Sequence, residues 1–169
     1  VCDGGLYMLN PTVVIHTDVA AFIAAYHAGR QRGRPQAIEH YQTACSLYAG
    51  PFLSEDRYSD WSMIQREQLT QMYLTMCDVL STHALESLQY EDAIHWAGQI
   101  LIENRCDESA YRCLIRAYAA SGRRTEAIHQ YQRCERVLMD ELSITPDSET
   151  MELFSTLIRN ETHTSSQKS

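Results

Sequence analysis

The four residues Asp92-Ala93-Ile94-His95 return as Glu126-Ala127-Ile128-His129, 34 residues further along the chain. A fixed period of that length is the spacing of a repeating two-helix unit. One such unit cannot bury its apolar face alone, so the repetition requires stacked helical hairpins that share a continuous core. It also turns the question of function towards binding rather than catalysis. A third copy, Gln36-Ala37-Ile38-Glu39, lies 56 residues before the Asp92 copy, which is one period plus 22. That offset predicts two regular repeats near the C-terminal end, one near the start and an insertion between them.

Apolar periodicity and end signals place the helices. Thr17-Asp18 forms an N-cap, followed on one face by Ala21, Phe22, Ala25, Ala28 and Gly29, whose small residues let a partner helix come close. Gly33-Arg34-Pro35 ends this helix and opens a second over 35–48, with Pro in a tolerated first-turn position. Phe52 and Leu53 predict a loop over 52–58 that is pinned down. From residue 59 or 60 an uninterrupted helical pattern runs to 88 through Trp61, Ile64, Leu69, Met72, Tyr73, Met76, Leu80, Ala84 and Leu88, with a break near Gln71 left open. Helices over 90–103, 108–121, 123–142 and 147–159 follow, and Gly122 closes one hairpin where Leu88-Gln89 closes its counterpart. Leu80 aligns with Leu114, Ala84 with Tyr118, Ala93 with Ala127 and Ile100 with Cys134, as expected where paired helices meet. The fold class is therefore all-α: a tetratricopeptide-like stack of antiparallel hairpins, about seven helices, behind a short extended lead-in over Leu6–Ile15.

With 22 acidic and 14 basic residues, the chain carries a net charge of −8. A phosphate backbone repels such a domain, which disfavours direct binding of DNA or RNA. No apolar run is long enough to span a membrane. The six cysteines form no Cys-x-x-Cys pair and no zinc-finger spacing; Cys77 and Cys134 fall in apolar phase, as small buried side chains in a reducing cytoplasm. His95 and His129 belong to different repeats, and no phosphate loop or nucleophile motif occurs. The sequence thus points to no enzyme, cofactor or metal. The Val1-Cys2-Asp3-Gly4-Gly5 start, without initiator Met or signal run, reads as cut from a longer chain.

Val14-Ile15-His16-Thr17-Asp18-Val19-Ala20-Ala21-Phe22, Leu47-Tyr48-Ala49-Gly50-Pro51-Phe52-Leu53, and Trp61 followed by Gln65-Arg66-Glu67-Gln68-Leu69 occur in order. Ala119-Ala120-Ser121-Gly122-Arg123-Arg124-Thr125-Glu126-Ala127 and Glu141-Leu142-Ser143-Ile144-Thr145-Pro146-Asp147 follow, with Ser143 where Gly is usual. Together these motifs resemble the bacterial transcriptional activator domain, the tetratricopeptide-like module of the Streptomyces antibiotic regulatory protein family. Gly4-Gly5-Leu6-Tyr7-Met8-Leu9 resembles the last strand of the winged helix-turn-helix domain that precedes the module in that family. The resemblance implies three segments: 1–13 as the tail of an absent upstream winged domain or a linker, 14–159 as the activator module, and 160–169 as a disordered polar tail.

Arg112 and Arg116 lie one turn apart on the first helix of the last regular repeat, with Asp78 and Thr82 at the equivalent positions one period earlier. Two readings stand: the guanidiniums clamp a carboxylate or phosphate of a partner, or Arg112 pairs with Asp78 as a structural tie. Arg123-Arg124 reads as a solvated turn, and Trp61 and Trp96 as buried anchors. The function expected is a non-enzymatic regulatory module of a DNA-binding activator in the cytoplasm. It couples DNA binding, through the upstream domain alone, to a protein partner: its own winged-helix domain, another protomer or RNA polymerase. The alternative is a free-standing tetratricopeptide adaptor that grips a peptide or protein tail.

Overall fold

In the computed structural model the structure describes residues 2–3, 6–7, 17–50 and 60–165, with side chains over 17–33, 36–50 and 63–159. The expected 52–58 loop, the side chain of Trp61 and most of the lead-in lie outside these residues. A two-residue antiparallel ladder, β1 (Cys2–Asp3) with β2 (Leu6–Tyr7), precedes α1 (Asp18–Arg30), α2 (Arg34–Leu47), α3 (Asp60–Glu86), α4 (Tyr90–Glu103), α5 (Glu108–Ala120), α6 (Arg124–Leu142) and α7 (Ser148–Ser165). The chain forms two compact units, residues 1–49 and 50–169.

In the first unit, the Thr17 side chain accepts the Ala20 N–H at 3.0 Å and starts α1. Phe22, Tyr26 and Gly29 are buried along one face of α1, and Ala37, Ile38, Tyr41, Ala44 and Cys45 along α2. The rings of Tyr26 and Tyr41 stack with centroids 6.3 Å apart, and Phe22 meets Tyr48 at 5.9 Å. The hairpin closes tightly at Gly29: a Cβ there would run into the Tyr41 ring.

The second unit holds both regular repeats. α3 is continuous over 27 residues, with no break at Gln71, a rod of about 40 Å. Leu69, Tyr73, Met76, Cys77, Leu80 and Ala84 recur on its buried side at helical spacing. α3 packs on α4, and α4 and α6 both pack on α5, so each hairpin covers the apolar stripe of the next. Three of the four aligned pairs are buried at both members; in the fourth Ala84 is buried and Tyr118 half-buried. α7 closes the stack, with Phe154 lying flat on Tyr131 at 3.9 Å and Leu157 joining Ile115, Ala127 and Tyr131 in one cluster. It runs to Ser165, past the expected end at residue 159.

Cys45, Cys77, Cys106, Cys113 and Cys134 are thiols not joined in disulfides. Burial first, then Glu108 and Asp147, pushes the Cys134 thiol up to about 12. It stays protonated at neutral pH, as a small apolar group would.

Candidate partner-binding face

The first helices of successive hairpins, α3, α5 and α7, lie side by side. α5 is set by its cap: Asp107 Oδ1 accepts the Ala110 N–H at 2.9 Å. From that start, Ala110, Tyr111, Leu114, Ile115 and Ala117 turn into the core. The 3.6-residue period leaves Ser109, Arg112 and Arg116 on the opposite stripe. On α3 the same logic leaves Asp78 and Thr82 exposed, one turn apart. Cys113 Sγ approaches the Ser81 carbonyl at 3.8 Å between the two helices. Burial pushes the Cys113 thiol up, and Arg116 and Asp78 act on it in opposite senses, so those two charges flank the same α3–α5 seam.

The expected partner of Arg112 is corrected. Asp78 is not bonded to it; the carboxylates belong to the head of α7. Arg112 NH1 donates to Asp147 Oδ2 at 2.8 Å and to Thr150 Oγ1 at 3.0 Å, and its Nε reaches Glu149 Oε2 at 3.4 Å. Arg116 NH2 donates to Glu149 Oε1 at 3.0 Å. Glu149 therefore bridges both guanidiniums, while Glu108 Oε2 accepts the Asp147 N–H at 2.8 Å. Arg112 is 14% exposed, Arg116 44%, Asp147 48% and Glu149 58%. The network thus runs from a nearly buried cation outwards to solvent.

Asp147 also caps α7, its Oδ1 accepting the fully buried Thr150's N–H at 2.8 Å. That bond first, then the Thr150 hydroxyl and Arg112, holds the Asp147 carboxyl below the usual aspartate value. Asp78 moves the other way: desolvation and the neighbouring Asp107 raise its carboxyl. Sequence reasoning missed Glu108, Asp147, Glu149 and Thr150. Thr145-Pro146-Asp147-Ser148-Glu149 does read as a helix start with acids in its first turn, but nothing in it announces arginines 35 and 33 residues upstream.

Arg123 is also more than a solvated turn. Its guanidinium pairs with Glu91 at 2.8 Å and Glu126 at 3.4 Å, and lies 4.6 Å from the Tyr118 ring centroid. It ties the α5–α6 turn to the start of α4. Trp96 is half-buried, with its ring edge-on to His95 at 4.7 Å. No helix among the described residues is long and apolar enough to cross a membrane, and no group of three or more His, Cys, Asp or Glu among them is placed to hold a metal ion.

Comparison with known proteins agrees with the architecture. Mycobacterium tuberculosis EmbR, solved in complex with a low-affinity phosphopeptide, superposes with a TM-score of 0.63 at 23% identity, covering 85% of this chain. The match takes in only 38% of the EmbR chain. The C-terminal TPR-containing domain of a Plasmodium falciparum FK506-binding protein superposes with a TM-score of 0.61 at 15% identity, over 89% of this chain and 97% of that one. At these identities both show the fold alone. No curated protein sequence matches. The family model for the bacterial transcriptional activator domain matches residues 17–158, in agreement with the motif resemblance, and the chain belongs to that family.

Proposed function

We propose that this chain is the non-enzymatic regulatory module of a DNA-binding transcription activator in the cytoplasm, and that it acts by holding a protein partner. The observation that carries this reading is the family match over residues 17–158, on a stack whose first helices present Asp78, Thr82 and Arg116 to solvent. Stacked repeats use extended surfaces of this kind to hold proteins. A solved neighbour in fold, EmbR, is in complex with a phosphopeptide, which accords with a partner that is a protein segment. DNA is read by a separate winged helix-turn-helix domain of the same regulator, in keeping with the net charge of −8 on this chain. Arg112, Arg116, Asp78 and Thr82 form the partner site, with another protomer, RNA polymerase or the regulator's own winged domain as the partner.

The experiment exchanges the exposed charges in the full regulator, Asp78→Arg with Arg116→Glu. Arg112 is left in place because it anchors α7. Transcription activation should fall while promoter binding and circular dichroism stay as they were. Normal activation by the folded variant removes this face as the working surface.

A further inference from the structure

The two arginines of the candidate site are already occupied, and by this chain's own carboxylates. We propose that Asp147 and Glu149 act as a built-in competitor: the first turn of α7 stands in for an acidic segment of the partner protein, which engages by replacing it on Arg112 and Arg116. This rests on the reading of that face as the partner site, and it assigns the partner's chemistry and the site's regulation.

Three observations carry it. The first is the donor set. Arg112 and Arg116 together present four donor contacts to the head of α7, at 2.8, 3.0, 3.4 and 3.0 Å. Paired guanidiniums are matched to carboxylates in fork geometry and bind them more strongly than neutral acceptors. The occupant shows which pattern fits: two carboxylates, two residues apart, at the head of a helix. The second is exposure. The cation beneath is 14% exposed, but Asp147 and Glu149 are 48% and 58% exposed, so a competitor reaches the pair from solvent.

The third is how α7 is held. Between residues 148 and 159 only Thr150 and Leu157 are fully packed away, whereas α5 buries Ala110, Tyr111, Cys113, Leu114, Ile115 and Ala117. Solvent-exposed ion pairs contribute little and weaken with salt. Elements with few buried apolar contacts open at low free energy. Phe154 on Tyr131 and Leu157 anchor the helix further along, so lifting the first turn uncovers only Pro146 and Thr150 while the rest of α7 stays seated.

The test uses the whole chain and a fluorescein-labelled synthetic peptide copying residues 144–158, read by fluorescence anisotropy at low salt. In Glu149→Gln the resident competitor is weakened while the Asp147 cap is intact. This variant should bind the peptide at least about ten-fold more tightly than the unaltered chain, because a site occupied in cis lowers apparent affinity by the fraction that is free. Adding Arg116→Gln should return binding to the starting level. Should Glu149→Gln unfold by circular dichroism, Asp147→Asn carries the same comparison, since Asn caps as well as Asp.

Equal affinity of the two chains, with the Arg116 dependence intact, overturns the competition and leaves the arginine face standing as the partner site. Binding that ignores Arg116, or no binding to either chain, overturns the acidic-segment chemistry. Dimerisation of Glu149→Gln by light scattering, reversed by excess peptide, gives the freed site to α7 of a second copy and overturns its assignment to a different protein. Failure of the underlying reading shows separately, as normal activation by Asp78→Arg with Arg116→Glu.

Discussion

Leu88 and Gly122 occupy the same left-handed backbone position at the same turn of consecutive repeats, with φ of 60° and 78°. The turns are superimposable in their bonds. Gln89 N–H reaches the Ala84 carbonyl and Arg123 N–H the Tyr118 carbonyl, both at 2.8 Å, in the six-to-one bond that closes a helix. Glycine adopts this conformation freely, whereas a branched side chain is strained there by about 1–2 kcal/mol.

Leu88→Gly should therefore stabilise the chain by about 1 kcal/mol, part of the relieved strain being offset by added freedom of the unfolded chain. Leu88 is 69% exposed, so little apolar burial is lost. Ser143, at φ 57°, ends α6 in the same conformation, and Ser143→Gly should also stabilise. Urea denaturation checks both; a fall in midpoint for Leu88→Gly contradicts the strain.

Leu114→Ala should destabilise by about 2–5 kcal/mol, because Leu114 is 5% exposed in the stack and its removal leaves a void. Chemical denaturation measures it. A change under about 0.5 kcal/mol is what a surface position gives, and would break the 34-residue register with Leu80.

Gly29→Ala should weaken the α1–α2 hairpin, since the new methyl meets the buried Tyr41 ring. Overpacking of this kind costs about 1–3 kcal/mol. Tyr41→Leu in the same chain should recover part of the loss, which a double-mutant cycle reads as coupling. Additive effects would mean that the helices part freely at this point.

Acid should loosen the head of α7. The Asp147 carboxyl is held below its ordinary 3.8, so between the two values the unfolded chain binds more protons. Its contribution is complete above about pH 4 and is lost as pH falls through the folded value. Asp78 has the opposite sign. Its carboxyl is raised above 3.8, so the fold binds more protons in that window and gains stability as pH falls through it. Asp147→Asn should flatten the acid decline in urea midpoint. Asp78→Asn should be more stable than the parent at neutral pH, with the advantage shrinking on acidification. Parallel pH profiles for all three chains would contradict both shifts.

Apart from the end of α7, the helix boundaries were legible because their causes are local. A capping Thr17, a Pro at the head of α2, Gly122 at a hairpin and the recurrence of Ala93 as Ala127 each act within a few residues or within one repeat. The sequence left a break near Gln71 open, and the structure shows α3 continuous there; Ser143, standing where a glycine is usual, ends α6 in the left-handed conformation.

The candidate site was legible only by half. One-turn spacing placed Arg112 and Arg116 on one stripe, and the period placed Asp78 and Thr82 on the equivalent stripe of α3. Which carboxylate Arg112 takes was not readable, because a guanidinium on a long stem reaches either neighbouring helix and its choice depends on where each one docks. Docking brought α7 head-first onto α5, so Asp147 and Glu149, 35 and 33 residues away from their arginines, took the bonds. The same cause carried Arg123 across to Glu91. The sequence by itself determined the helices, their pairing and the family, since these follow from short-range periodicity and capping. The tertiary structure alone decided the ion-pair partners, because those depend on the relative placement of packed helices, to which a local pattern is blind.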